Sequence, residues 1–168
     1  AAGLVDSLDQ PGGNLTGTSD LTPVREQLKL LKQLDKNIKR IGILYNAGEA
    51  NSLVQVKLAR KVAKDLNFEL VEATVSSSNE VYQSAQSLVG RVDGIYLPTD
   101  NTVVSAIQSV VKVAEKNNLP LISGESNLVE NGTLGTVGID YSELGYQTGE
   151  MAVKVLQGAD PGKMPIEY

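Results

Sequence analysis

Five short polar segments contain the side chains with which this sequence could bind a small molecule. They are rich in Ser, Thr, Asn, Asp and Glu, and none of them contains Lys or Arg. The segments are residues 46–52, 76–79, 99–101, 124–127 and 140–142. Side chains of these types offer hydrogen bonds and negative charge. The expected chemistry is therefore recognition of a small polar molecule.

A zwitterion would suit these segments. Asn51 and Ser52 open a predicted helix, and the free amides at a helix N-terminus favour an anionic group such as a carboxylate. Four acidic side chains could receive a cationic group: Glu49, Asp100, Glu125 and Asp140. In the alternative interpretation these polar residues are only helix caps and turn formers, for which the same residue types are typical. Glu49 and Glu125 favour binding, because neither caps an obvious helix.

Several catalytic and cofactor-binding motifs do not fit. The segment after the first predicted strand has a single Gly, so the dinucleotide fingerprint is absent, and no phosphate-binding P-loop sequence occurs. A phosphoacceptor receiver domain would need acidic residues directly after that strand and a Lys after the fourth strand. Glu49 lies too far along its loop, and Glu125 stands where that Lys would be needed. Among enzymatic functions, only carboxylate chemistry by Asp100 and Glu125 remains compatible with the sequence. Because the other catalytic motifs are absent, we expect that the protein is not an enzyme.

The composition excludes further classes of function. The 168 residues include no Cys and no His, which excludes disulfides, Cys-based zinc sites and thiol nucleophiles and removes the commonest general base. With one Phe, six Tyr and no Trp, a flavin sandwich is not expected. We expect no cofactor and no metal. The net charge of −5 has the wrong sign for a nucleic-acid partner.

Elements that would position the polar segments alternate along the chain. Short apolar segments are typical of strands, and amphipathic helical patterns lie between them. The predicted strands are residues 40–45, 68–75, 94–98, 120–123 and 133–139. The alternation predicts an α/β fold with three layers, in which a mainly parallel five-stranded sheet has helices on both faces. Ligands bind at the carboxyl ends of parallel strands. That rule places Asn46, Ser52, Thr99, Asp100 and Glu125 on one rim.

Local signals predict where several helices begin. Thr22 is expected to cap the first helix, with Pro23 at its first position. Residues 77–80 match a capping box, and residues 99–101 precede another helix. A last helix is expected over residues 142–158. Residues 1–8 form a short amphipathic piece without the features of a signal peptide, and no apolar run approaches the ~20 residues that span a bilayer.

Four motifs, in order, resemble the substrate-binding proteins of ABC importers of the tryptophan/tyrosine type. They are residues 11–23 (PGGNLTGTSDLTP), 44–52 (LYNAGEANS), 96–101 (YLPTDN) and 138–145 (GIDYSELG). The resemblance covers essentially the whole chain. It implies a periplasmic-binding-protein fold, in which two α/β lobes joined by hinge strands hold a small ligand between them, and it implies that this chain is about half of such a protein.

The resemblance also implies a division of the chain. Residues 1–19 would be a remnant of the first lobe with the first hinge crossing, residues 20–136 the second lobe, and residues 137–168 the return hinge, the terminal helix and a tail of the first lobe. Ten residues correspond to the cleft loops of the family: Asn46, Glu49, Asn51, Ser52, Thr99, Asp100, Asn101, Glu125, Asp140 and Tyr141.

The implied function is the binding of a small polar solute, such as an amino acid, for delivery to the membrane permease of an ABC importer. The parent protein would be extracytoplasmic. A ligand-sensing regulatory module of the same fold is the alternative. Apolar side chains such as Leu144, Met151 and Val155 resemble first-lobe packing, whose sheet is absent here. We therefore expect either that the last helix folds back or that two chains pair as a homodimer.

Overall fold

The computed structural model describes residues 4–168, which divide into two compact units. One unit is residues 22–138, and the other combines the residues up to 21 with residues 139–168. The strands are β1 Arg40–Asn46, β2 Glu69–Val75, β3 Gly94–Leu97 and β4 Leu121–Ser123. The helices are α1 Val24–Leu34, α2 Ala50–Asp65, α3 Val81–Ser87, α4 Asn101–Ser105, α5 Ile107–Lys116 and α6 Tyr141–Leu156. Three 3₁₀ turns occupy Ser78–Glu80, Ser126–Leu128 and Pro161–Lys163.

The larger unit contains a parallel sheet in the order β2-β1-β3-β4. Ile43 of β1 is opposite Glu72 on one side and Tyr96 on the other. β1 is apolar on both faces and buried from Ile41 to Tyr45, because helices cover both sides of the sheet. The predicted α/β fold with a parallel sheet is confirmed.

The segment predicted as a fifth strand does not extend the sheet. Gly135 makes a single bridge to Ile122 of β4. Leu134 donates its amide to the carbonyl of Leu121 at 2.8 Å. Two residues beyond Gly135, the carbonyl of Val137 accepts a hydrogen bond from the buried Gln27 side chain and not from β4. The sheet therefore has four strands, because β4 is only three residues long and the chain leaves its edge after one bridge.

Two cores lie on opposite faces of the sheet. On one face Leu28 of α1 and Val56 of α2 are fully buried against β1 and β3. On the other face Leu88, Val103 and Val110 pack with residues of α3, α4 and α5. These layers need close approach, since a Cβ at Gly42 would lie 2.9 Å from Leu88 Cδ1. The helices on both faces confirm the predicted three layers.

Two predicted helix starts differ from those observed. Pro23 rather than Thr22 occupies the N-cap position of α1. Thr22 is buried, and its hydroxyl donates to Gln55 Oε1 at 3.2 Å. In the expected capping box, the side chain of Ser77 makes no capping hydrogen bond, while Glu80 accepts from the amide of Ser76 at 2.8 Å. Long-range hydrogen bonding thus overrides the local signal at Thr22.

The smaller unit is built around α6. Asp140 caps this helix by accepting from the amides of Ser142 and Glu143 at 2.8 and 3.2 Å. The early and late segments of the chain pair through backbone hydrogen bonds, such as that from Ile166 N to Leu8 O at 2.7 Å. The amphipathic piece expected over residues 1–8 lies partly outside the described residues, and its described part, 4–8, is not helical. No helix in residues 4–168 is long and apolar enough to cross a membrane.

Candidate functional site

The rim is the set of polar residues that follow β1, β3 and β4 in the larger unit. At its centre the carboxylate of Asp100 is fully buried. Asp100 Oδ2 accepts from the amide of Asn46 and from the hydroxyl of Ser52, each at 2.6 Å. Asp100 Oδ1 accepts from the amide of Val103 at 2.9 Å and so caps α4. One carboxylate therefore fixes the loop after β1, the start of α2 and the start of α4.

Glu49 is a second carboxylate that binds the loop after β3. Its two oxygens accept hydrogen bonds from Asn51 Nδ2, Asn101 N, Asn101 Nδ2, Thr102 N and Thr102 Oγ1, at 2.7 to 3.4 Å. Partial burial raises the pKa of this carboxyl, but the hydrogen bonds from Thr102 and Asn101 outweigh that effect and lower the pKa of Glu49 from 4.5 to about 2. The expectation that Glu49 caps no helix was wrong, because it caps α4 across more than fifty residues of sequence.

Asn51 and Thr99 connect α2 to the end of β3. Asn51 Nδ2 donates to the carbonyl of Thr99 at 2.8 Å, and Asn51 is exposed. The amide of Thr99 donates to Gln55 Oε1 at 3.1 Å, and Gln55 Nε2 donates to Thr99 Oγ1. The first-turn amides of α2 and the side chains of Asn51 and Asn101 are thus brought to one edge of the sheet.

The loop after β4 lies against the loop after β3. Gly124 donates its amide to Leu97 O at 2.7 Å, and a Cβ at Gly124 would lie 3.2 Å from the amide nitrogen of Thr99. Ser123 Oγ donates to the carbonyl of Glu125 at 2.9 Å, and Glu125 is half-buried. The close approach at Gly124 brings the part of the rim that contains Glu125 next to the part that contains Thr99.

The structure thus distributes the ten candidate residues over both units. Eight lie in the larger unit, and hydrogen bonds join seven of these directly: Asn46, Glu49, Asn51, Ser52, Thr99, Asp100 and Asn101. The eighth, Glu125, lies on the neighbouring loop. Asp140 and Tyr141 belong to the smaller unit, where Asp140 is the cap of α6 and Tyr141 is its exposed first residue.

The rim is suited to hydrogen bonding with a small polar molecule. The N-terminus of α2 has no side-chain cap, so its first amides are oriented toward any anionic group at this edge. Asp100 and Glu49 are both committed to donors of the protein itself. Residues 4–168 contain no group of His, Cys, Asp and Glu that could hold a metal ion.

Sequence reasoning missed a buried polar network behind the rim. Gln27 is fully buried in α1, and its Nε2 donates to the carbonyl of Val137 at 2.8 Å and to that of Gly124 at 3.5 Å. The hydroxyl of Tyr96 donates to Gln27 Oε1 at 2.9 Å, and burial raises the pKa of Tyr96. Gln27 interrupts the apolar stripe of α1. A polar residue on an apolar stripe is the signal that could have revealed this network.

The chain is similar to several known proteins. The family model described as ABC transporter substrate binding protein matches residues 1–168. A tyrosine-binding protein from Clostridioides difficile is 47% identical over 165 residues, which are 98% of this chain and 48% of that protein. The ABC domain from Streptococcus pneumonia solved in complex with L-Trp is 38% identical, with a TM-score of 0.86 over 98% of this chain and 56% of that one.

A more distant likeness concerns the fold alone. A periplasmic-binding ribose operon repressor protein from Lactobacillus acidophilus is 16% identical, with a TM-score of 0.69 over 97% of this chain and 66% of that one. At 16% identity this similarity shows a shared fold and does not support a regulatory function for the chain. The chain spans about half the length of the curated relatives that it matches.

Proposed function

The chain belongs to the family of ABC transporter substrate-binding proteins, and from this we propose that it supplies part of the binding site for a small polar solute, an amino acid, in such a protein. The relatives supply the ligand class, since one is a tyrosine-binding protein and another was solved with L-Trp. The observation that carries the proposal is the rim, where the uncapped start of α2 and the exposed amides of Asn51 and Asn101 lie at the carboxyl ends of parallel strands.

We propose two kinds of role for the rim residues. The first-turn amides of α2, with Asn51 and Thr99, would bind the carboxylate of the amino acid. Glu125 would receive its ammonium group, because the loop after β4 lies against Thr99. Asn101 would add hydrogen bonds at the edge.

The remaining rim residues would act through their neighbours. Asn46, Glu49, Ser52 and Asp100 would hold the loops of the rim in place, because their hydrogen bonds join the loop after β1 and the start of α2 to the start of α4. In the smaller unit Asp140 and Tyr141 remain proposed ligand contacts, on the resemblance described above.

The proposal also covers the organisation of the longer protein. Residues 20–136 would form the second lobe, with residues 1–19 and 137–168 belonging to the first lobe and the hinge. The protein would act outside the cytoplasm, deliver its solute to the membrane permease of an ABC importer, and have no enzymatic activity. Support comes from the match to the family over the whole chain.

We further propose that two copies of this chain can pair through α6. Leu156 is 87% exposed, and it lines an apolar groove of about 520 Å³ within the smaller unit, together with the exposed Leu15 and the half-buried Val155. Met151, which the sequence placed on the same apolar stripe, also lines the groove but is buried. Exposed apolar surface of this kind is unfavourable in water. A second copy of the same surface would cover it.

Calorimetry and thermal unfolding test the proposed ligand class. We expect L-Tyr or L-Trp to raise the unfolding midpoint of the longer protein that contains this chain, since ligands stabilise the state that they bind. Asn51→Ala should weaken that binding by about tenfold, the value of roughly one hydrogen bond to a charged group.

The matched control is Asn37→Ala, which changes an exposed Asn that precedes β1 and so lies at the opposite end of that strand from Asn46. This variant should bind like the unmutated protein. The absence of any shift with L-Tyr, L-Trp and other amino acids would contradict the proposal.

A further inference from the structure

Positive charge is concentrated in one part of this acidic chain. Of the 15 Lys and Arg residues, ten lie between residues 24 and 65, whereas only four of the 20 Asp and Glu residues lie there. This stretch comprises α1, β1 and α2. It has an excess of six positive charges in a chain whose net charge is −5. The rest of the chain is therefore strongly acidic.

The cations of both helices lie on the side that faces away from the sheet. In α1 the residues Arg25, Lys29 and Lys32 recur at helical spacing opposite the buried stripe. In α2 the exposed stripe contains Lys57, Lys61 and Lys64, whereas Val56, Ala59 and Ala63 of the same helix are buried. Each helix thus presents a basic outer stripe.

Contacts between the helices join the two stripes into one surface. Arg25 of α1 forms an ion pair with Asp65 of α2. Lys32 Nζ lies 3.5 Å from the carbonyl of Leu66 and 5.3 Å from the ring centroid of Phe68, just after α2. We call this continuous surface, formed by the outer stripes of α1 and α2, the basic face.

Most lysines of the basic face are not neutralised by the protein. Both arginines are committed, Arg25 to Asp65 and Arg60 to Glu72. Lys29 pairs with Glu26 at 3.5 Å. Within the described part of the chain, Lys32, Lys57, Lys61 and Lys64 take part in no ion pair and are exposed.

We propose that the basic face is a docking surface for an anionic phospholipid membrane. Clusters of four to eight basic residues on a helical surface are typical of proteins that bind acidic lipid headgroups. The free cations are lysines, which act as mobile point charges and suit a fluid layer of headgroups. A shaped acidic protein partner is usually recognised through Arg and aromatic anchors, but the arginines here are already paired.

The acidic remainder of the chain does not prevent this binding. At physiological ionic strength the Debye length is about 8 Å, so charges on the far side of the unit are screened from a membrane that touches α1 and α2. Each lysine near an anionic surface strengthens binding by about fivefold. The basic face is formed by helix surfaces rather than by the rim, so membrane docking does not depend on the proposed solute site.

Vesicle co-sedimentation of the full chain tests the proposal. We expect binding to vesicles of phosphatidylcholine and phosphatidylglycerol in equal parts, little binding to pure phosphatidylcholine, and loss of binding as salt is raised. The double variant Lys57→Gln/Lys61→Gln should reduce the partition coefficient by roughly 25-fold.

A matched double variant separates the basic face from a general charge effect. Lys112 and Lys116 are exposed on α5, with the same spacing as Lys57 and Lys61, on the opposite side of the sheet. Lys112→Gln/Lys116→Gln changes the net charge equally and should leave vesicle binding nearly unchanged. Equal losses in the two variants would overturn the proposal. So would equal binding to both vesicle types, or binding to a soluble acidic polypeptide without binding to vesicles.

Discussion

Ser52 and Asp100 share a buried hydrogen bond of 2.6 Å, although 48 residues separate them in the sequence. Neither residue is exposed to solvent. The bond joins the first turn of α2 to the cap of α4, so the two helices that flank the rim are fixed to one carboxylate. This relationship implies that Asp100 contributes more to stability than an ordinary helix cap.

The first prediction follows from that bond. Asp100→Ala should lower the free energy of unfolding by about 3 kcal/mol, because three donors lose their acceptor and those of Ser52 and Val103 are buried. Ser52→Ala should cost about 1–2 kcal/mol, since it leaves two of the three donors bound to Asp100. Denaturant unfolding measures both values. Asp20→Ala, at an exposed position, is the control, and an Asp100→Ala variant as stable as the control would contradict the structure.

A second prediction concerns the acid stability of the chain. The pKa of Glu49 is lowered to about 2 in the folded chain, from 4.5 for a free carboxyl. Folding therefore favours the ionised form, and this contribution is complete above pH ~4.5 and is lost as the pH falls toward 2. Hydrogen bonds from Arg40, against partial burial, likewise lower the pKa of Asp93 to about 2. Unfolding free energies should thus decrease between pH 5 and 3.

The variant Glu49→Gln measures how much of the pH dependence of the unfolding free energy comes from Glu49. It should lose about 1–2 kcal/mol at pH 6, because Gln offers one acceptor oxygen where the carboxylate offers two. At pH 3 the difference from the unmutated chain should be smaller. Glu130→Gln, at an exposed position, should lower stability at neither pH. A Glu49→Gln deficit that is the same at both pH values would be inconsistent with the lowered pKa.

Strands were predictable from the sequence where local pattern decides the structure. β1 is a continuous run of apolar residues, as expected for a strand that is covered by helices on both faces of the sheet. The cap at Asp100 was predictable because this residue directly precedes a helical pattern. The role of Glu49 was not predictable, because its partners Asn101 and Thr102 are brought to it by the pairing of β1 with β3. The prediction of a fifth strand was wrong, because the segment makes one bridge to β4 and the carbonyl of Val137 then accepts a hydrogen bond from the Gln27 side chain of α1.

The third prediction uses the network around Gln27. Gln27→Leu should cost about 2–3 kcal/mol, because it removes the donor to Val137 O and leaves the buried hydroxyl of Tyr96 without its acceptor. Adding Tyr96→Phe to that variant removes the orphaned hydroxyl. The double variant should therefore be more stable than the sum of the single changes implies, by about 1 kcal/mol. Denaturant unfolding of the four proteins in this cycle measures the coupling, and strict additivity would show that the two side chains do not interact.

The last prediction concerns the exposed side of α6. If two chains pair there, each of the two Leu156 side chains is buried at the interface, and burial of one leucine is worth about 1.5–3 kcal/mol. In a symmetric pair the same surface is used twice, so Leu156→Ser should weaken association by roughly 100-fold or more.

Light scattering over a range of concentrations measures the mass. Leu134→Ser is the matched control, because Leu134 is 63% exposed and lies in the larger unit. We expect a mass above the 17.9 kDa of one chain for the control, and that of a single chain for Leu156→Ser. A single-chain mass for the unmutated protein at high concentration would show that α6 does not pair in this way.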